Sequence, residues 1–154
     1  TLALDEPEAL PKEGNLRAAT MRTAMGTYHI RPFSQPCIEG FFGGRFAQSL
    51  EGAGPGALAA ESINEIVSIL GNDFRRKLKP LAESRWAHDP FARGSYSHAL
   101  PGHAGDRAVL AAPVDGRLFF AGEATSPEFF STAHGARDSG ERAAGEVLAT
   151  LAKL

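Results

Sequence analysis

The chain has 154 residues, 43% of them hydrophobic and 22% charged, with a formal net charge of −2 and one cysteine. That length suits one domain with a real core, and the near-neutral charge argues against a nucleic-acid surface. The lone Cys37 excludes an internal disulfide and suits a reducing compartment, and no apolar run is long enough to cross a membrane.

Thr1 to Thr23, with Pro7, Pro11 and Gly14 among charges, reads as a surface connection. Tyr28 to Phe42 carries apolar and aromatic residues between prolines and a double glycine, which predicts one or two strands. Gly52-Ala53-Gly54-Pro55-Gly56-Ala57 satisfies the G-x-G-x-x-A pattern of a dinucleotide loop and precedes a helix predicted over Ala57 to Leu70, with Gly71 as its stop. The context of that pattern fails. Phe46 to Leu50 is a poor strand, and Gly71 to Pro80 is a stop and a charged loop where the next buried parallel strand belongs. The glycines therefore read as a flexible lead-in to a packed helix. Arg75-Arg76-Lys77 with Lys79 is the only dense basic cluster and reads as a solvated helix end.

Leu81 to Trp86 is expected to form a short strand, and Asp89 to Gly105 a Gly- and Pro-rich loop of the kind that carries function. His88 beside Asp89, with Ser95, Ser97 and His98 nearby, raises a hydrolase reading. No G-x-S-x-G elbow is present, however, and adjacent side chains of an extended loop point apart. His98 and His103 lack the spacing of metal ligands, so no metal site is expected.

Arg117 to Ala121 is predicted to be a buried strand, and the string Leu118-Phe119-Phe120-Ala121-Gly122-Glu123-Ala124-Thr125 follows from it. Its apolar run breaks at a glycine, where backbone must come close to something, and an acidic residue comes next; a ligand lying against backbone accounts for both choices. Thr132-Ala133-His134-Gly135-Ala136 then opens a helix over Ala133 to Leu151, with Ala136, Gly140, Ala143, Ala144, Val147, Leu148 and Leu151 on one apolar face. Thr132 is the expected N-cap, and no acidic residue occupies the next positions. The free N–H groups and positive dipole end of this helix can receive an electron-rich ligand atom.

That closing segment resembles the last FAD-binding stretch of the flavin-dependent amine oxidases, the superfamily of polyamine oxidases, monoamine oxidases and lysine-specific histone demethylases. Upstream, Arg85-Trp86-Ala87-His88-Asp89-Pro90-Phe91-Ala92-Arg93-Gly94-Ser95-Tyr96-Ser97 is similar to the Trp, Asp-Pro and Gly-Ser-Tyr-Ser stretch of the same family. Pro36-Cys37-Ile38-Glu39-Gly40-Phe41-Phe42-Gly43-Gly44 resembles its substrate-domain strand less distinctively. Two distinctive motifs in the right order and spacing are far more specific than one.

The resemblance implies an α+β chain that holds part of an antiparallel substrate-domain sheet with helices, plus the carboxyl-terminal strand–helix segment of an FAD-binding domain. Residues 1–30 remain an unassigned connecting segment, 31–116 a substrate-domain portion with an active-site loop over 85–105, and 117–154 the C-terminal FAD-binding segment. A complete oxidase of this family is several times longer, and its amino-terminal Rossmann-type half has no counterpart here. The chain begins at Thr1 without a signal stretch, and it reads as the carboxyl-terminal piece of a larger soluble, cytoplasmic protein.

The resemblance also implies residue roles. Thr132 and Ala133 would lie beside the pyrimidine edge of the flavin ring, with Ala136 small enough to let the cofactor close and His134 as a hydrogen-bonding group behind it. Gly122 and Glu123 would meet the ribityl and diphosphate part of FAD. Trp86, Phe91 and Ser95 would line the cavity near the ring, and Tyr96, the residue assigned to catalysis, would form one wall of the aromatic cage that orients a substrate amine. Taken without the resemblance, Trp86 and Phe91 read as core residues, Tyr96 as a loop cap and Glu123 as a solvated turn residue. Monoamine oxidases carry a second cage tyrosine near the last helix, where this chain has Thr132; that difference points to the polyamine oxidase and histone demethylase branch. Relatives with covalent FAD use a cysteine in the Gly-Ser-Tyr-Ser region, where this chain has Ser95, so noncovalent FAD is expected.

The implied reaction is oxidation of an amine: hydride passes from the α carbon to flavin, the imine is hydrolysed, and oxygen is reduced to hydrogen peroxide. The implied partners are an amino-terminal nucleotide-binding half of the same protein and a small-molecule amine, with no nucleic acid and no membrane. The family's lysine that holds a water near N5 would lie upstream, and the chain alone is expected to bind FAD weakly and to be inactive. The alternative is a noncatalytic interaction module that keeps the amine oxidase scaffold.

Overall fold

Leu2, Ile38 and Ile30 stand side by side on three adjacent strands of a five-stranded antiparallel sheet in the computed structural model, which describes residues 1–18 and 24–153. The strands are β1 (Leu2–Leu4), β2 (Gly14–Arg17), β3 (Thr27–Ile30), β4 (Cys37–Phe41) and β5 (Leu78–Pro80), in the order β2-β3-β4-β1-β5. Because side chains alternate along a strand, Leu2, Leu4, Tyr28, Ile30, Ile38 and Leu78 share one face, and all are buried. Helices α1 (Gly44–Gly52) and α2 (Ala57–Leu70) follow β4. On α2, Ala59, Ser62 and Ile66 are buried at helical spacing, and Ala59 and Ile66 join the core cluster formed by that sheet face.

Two details set how closely that helix sits. A Cβ at Gly40 would lie 3.0 Å from the Tyr28 ring and 3.2 Å from Ser62 Oγ, so glycine is what lets β4, Tyr28 and α2 share the space. The Tyr28 hydroxyl donates to the Glu65 carboxylate, which also accepts the Gly26 N–H at 2.8 Å. Burial first, and the bond and charge of Glu65 after it, push the Tyr28 phenol above its ordinary value.

The chain divides into two compact units, Thr1–Arg93 and Gly94–Leu154. The first holds the sheet, α1 and α2. The second holds α3 (Asp106–Ala111), a 3-10 turn over Glu123–Thr125 and α4 (Ala133–Leu151). The architecture is α+β. Among the described residues no helix is long and apolar enough to cross a membrane.

Several expectations meet the structure directly. Two strands lie within 27–41, and α2 and its Gly71 stop fall where the sequence puts them. The amino-terminal segment, expected as a surface connection, instead supplies β1 inside the sheet and β2 at its edge; residues 19–23 of that expectation lie outside the described residues. Its turn residues mask two strands too short to display an alternation. The strand expected over 81–86 is replaced by β5, three residues earlier, inside the stretch expected to be a charged loop. Lys77 and Lys79 flank the buried Leu78 and pair with Glu6 and Asp5, each at 2.6 Å, and Pro80 is tolerated because β5 is an edge strand. Phe46 to Leu50, which the sequence does not support as a strand, belongs to α1.

Arg117 to Ala121 is not a buried strand: its only pairing is the bridge Val114–Leu118, and Leu118 is exposed. A strand needs a ladder partner, and this unit offers no other among the described residues. The phenylalanine carbonyl at 120 is satisfied by Arg142 Nη2 at 2.7 Å instead. Along α4 the buried residues are Gly135, Ser139 and Ala143, whereas Ala144, Leu148 and Leu151 of the expected apolar face are exposed.

Candidate flavin site

The start of α4 is built by Thr132. Its extended backbone (φ −131°, ψ 150°) places Oγ1 to accept the Gly135 N–H at 3.1 Å, while its hydroxyl donates to the Phe129 carbonyl at 2.6 Å. Gly135 is buried against that same turn, and a Cβ there would lie 1.9 Å from the Phe129 oxygen. As at any helix start, the N–H groups of Ala133 and His134 have no intrahelical acceptor. Ala133 is exposed, no acidic residue sits in the first turn, and His134 packs its ring on Phe129 at 5.0 Å between centroids. The helix start is an open, electropositive edge.

Beside it lies the bend at Gly122. Its φ of 126° and ψ of 159° belong to a region that only glycine enters readily, and no atom stands within 4 Å of where a Cβ would project. Its N–H donates to Ser139 Oγ at 2.8 Å, and Ser139 donates in turn to the Ala136 carbonyl at 2.7 Å. The bend is therefore fastened to the second turn of α4 with its free side open.

Glu123 ties three segments together. Oε1 accepts the Ser97 N–H at 2.6 Å, and Oε2 accepts the Ser97 hydroxyl at 2.7 Å and the Ser131 N–H at 2.6 Å. Ser131, itself at φ 61°, returns its hydroxyl to the Ser97 carbonyl at 2.7 Å. Burial pushes the Glu123 carboxyl up, but the Ser97 hydroxyl, the N–H groups of Ser131 and Ser97 and the Arg107 charge outweigh it and hold the group below the usual carboxylate range. Glu123 is thus an ionised, hydrogen-bonded bracket and not the solvated turn residue of the simpler reading.

Of the other predicted residues, Ser95 and Tyr96 belong to this same unit, immediately before the anchored Ser97, and Tyr96 is 70% exposed. Ala136 is half-buried on the first turn of α4. Trp86 and Phe91 fall in the first unit, 49% and 96% exposed, so neither is a core residue there. The turn that carries Trp86 is held by Glu51 of α1, whose carbonyl accepts Arg85 Nη2 at 2.9 Å and whose carboxylate accepts the Ala87 N–H at 3.1 Å. Asp89 Oδ1 caps the next turn, accepting the N–H groups of Phe91 and Ala92 at 2.8 Å each.

The glycine fingerprint is not a phosphate loop. The Glu83 carboxylate occupies the start of α2, accepting the N–H groups of Gly56 and Ala59 at 2.7 and 2.6 Å. The sequence reading missed Arg107, Ser131 and Ser139. A serine four residues after Gly135 is a legible signal for close packing, but nothing in the run Asp106 to Ala111 announces that its arginine is buried.

This donor set fits a flavin: free helix-start N–H groups for the electron-rich edge of the ring, an open glycine bend for backbone approach, and a buried cation in Arg107. Sequence comparison gives the same class. The model of the family described as flavin containing amine oxidoreductase matches residues 8–148, and the chain belongs to that family. The description of that family gives a flavin as its cofactor class and amine oxidoreduction as its reaction class.

Individual relatives sharpen the placement. The chain is 37% identical over 116 residues to lysine-specific histone demethylase 1 homolog 2 of Arabidopsis thaliana, a match covering 73% of this chain and 16% of that protein. It is 36% identical over 125 residues to possible lysine-specific histone demethylase 1 of Drosophila melanogaster, covering 74% of the chain and 14% of the relative. A third match, 44% identical over 99 residues, is to histone demethylase-like protein A of Aspergillus fumigatus, covering 59% and 9%. The chain thus spans well under a fifth of the length of these curated relatives.

Proposed function

We propose that the chain is the carboxyl-terminal part of an FAD-dependent amine oxidase that oxidises an amine C–N bond. The observation that carries this reading is the fastening of the open Gly122 bend to the start of α4 within one unit.

Thr132 fixes the helix start, and the N–H groups of Ala133 and His134 stabilise negative charge at the pyrimidine edge of the ring. Gly122 admits the ribityl and diphosphate part, with Glu123 locking the loops around it. Tyr96 orients the amine, and Ser95 supplies wall to the cavity. The chemistry FAD supplies when bound is acceptance of a hydride from the amine α carbon, leaving an imine for hydrolysis, with oxygen reduced to hydrogen peroxide afterwards. Ser95 in the Gly-Ser-Tyr-Ser stretch supports noncovalent binding. The demethylase names of the relatives and Thr132 at the second cage position favour a secondary amine of the polyamine or N-methyl-lysine kind. The partner is an upstream nucleotide-binding half of the same protein, and the unpaired Cys37 supports a cytoplasmic location.

The test is to mix the chain with that upstream half and FAD. A yellow complex that bleaches anaerobically with spermine or an N-methyl-lysine peptide supports the enzyme. No flavin uptake overturns it and leaves a noncatalytic scaffold.

A further inference from the structure

Arg107 lies on α3 and is 6% exposed. Its Nη1 donates to Ser97 Oγ at 2.7 Å and to the Ala124 carbonyl at 3.1 Å, and the Phe130 ring centroid is 4.3 Å from its Cζ. The Ser97 hydroxyl that accepts from Arg107 donates onward to Glu123 Oε2. One hydroxyl therefore bridges a buried cation to the carboxylate at the bend. Nη2 is also buried and has no acceptor among the described residues.

Burying this cation is costly, because its charge is desolvated and one N–H is unmatched. Apolar side chains in place of the whole Arg107, Ser97 and Glu123 set would commonly be as stable or more so. What an apolar residue cannot do is offset the charge on Glu123. That offset steadies the Glu123 carboxylate, and it also lowers the repulsion met by anything negative that approaches the bend.

We infer that Arg107 is a charge-compensating residue that makes the Gly122–Glu123 bend accessible to an anionic cofactor: with Arg107 in place the bend is electrically neutral, and without it the carboxylate faces the diphosphate of FAD. The inference rests on the FAD reading given above. Arg107 acts through Ser97 and Glu123 and is a positioning residue; it makes no contact with the reacting atoms.

The test is FAD affinity, measured by fluorescence titration of the chain assembled with its upstream half, for the wild type, Arg107→Lys, Arg107→Met and the double variant Arg107→Met/Glu123→Gln. Arg107→Met is expected to weaken binding about tenfold or more at low salt and by less at high salt, as for any charge repulsion. The double variant is expected to recover most of that loss, and Arg107→Lys to stay within about threefold of wild type because the charge is kept. A double variant that folds and binds no better than Arg107→Met, an Arg107→Lys as weak as Arg107→Met, or an Arg107→Met equal to wild type overturns the inference. Should Arg107→Met fail to fold, the double variant decides: recovery of fold and uptake supports charge compensation, and a folded double variant without uptake overturns it. Failure of the wild type itself to take up FAD is a different result and sinks the functional reading.

Discussion

The hydroxyl of Ser139 accepts the Gly122 N–H at 2.8 Å, so the bend that precedes α4 is held against the helix that follows it. Replacing Ser139 by alanine removes the acceptor and leaves a partly buried N–H without one. Such a loss costs about 1–3 kcal/mol. Ser139→Ala should lower the denaturation midpoint and weaken FAD uptake together, and a variant as stable as wild type contradicts the fastening. Gly122→Ala tests the other half, because its backbone costs a side chain about 1–3 kcal/mol even though the space is open.

Two glycines of α4 should respond in opposite directions. Gly135→Ala drives a methyl into the Phe129 carbonyl, which cannot move without unmaking the Thr132 cap, and a loss of about 3 kcal/mol or more, or failure to fold, is expected. Gly140 has open space around its Cβ position inside the helix, so Gly140→Ala should stabilise by up to about 1 kcal/mol. Chemical denaturation of the pair checks both signs.

Stability should fall at both ends of the pH scale for identifiable reasons. Glu123 has a folded value held below its ordinary 4.5, so as pH falls the unfolded chain takes up the proton first; the stabilisation present above that value is lost as pH drops through the folded one. Tyr28 has a folded value pushed above its ordinary 10.0, so above that pH the unfolded chain ionises while the folded one does not, and stability declines as pH rises. Melting temperature against pH should show both limbs, with the acid limb flattened by Glu123→Gln and the alkaline limb by Tyr28→Phe.

The start of α2 depends on a carboxylate from far along the chain. Glu83→Gln should cost about 0.5–2 kcal/mol, the range for a lost helix cap. Because Glu83 fills the glycine fingerprint, ADP should show no binding at that loop in the wild type; calorimetric uptake that Gly54 or Gly56 substitutions abolish contradicts the assignment.

How much of this was legible in the sequence depended on whether a signal was local. The helix over Ala57–Leu70 is long and strongly patterned, and the Thr132 cap lies next to the residues it serves, so both could be read. The strand Leu2–Leu4 offers two leucines and no run, and becomes a strand only because β4 and β5 flank it. Leu118 and Phe120 read as a buried strand by composition, but burial there needs a neighbour that this unit does not contain. Arg107 was invisible because the burial of a charged side chain is set by partners that lie 10, 17 and 23 residues away along the chain.

Amide hydrogen exchange with and without FAD tests the central claim most directly, using the chain assembled with the proposed upstream half. Cofactor contact at the Gly122–Glu123 bend and at the start of α4 predicts slowed exchange over residues 120–136, with the carboxyl-terminal turns of α4 unchanged. Stoichiometric FAD uptake that leaves exchange over 120–136 unaltered contradicts the account.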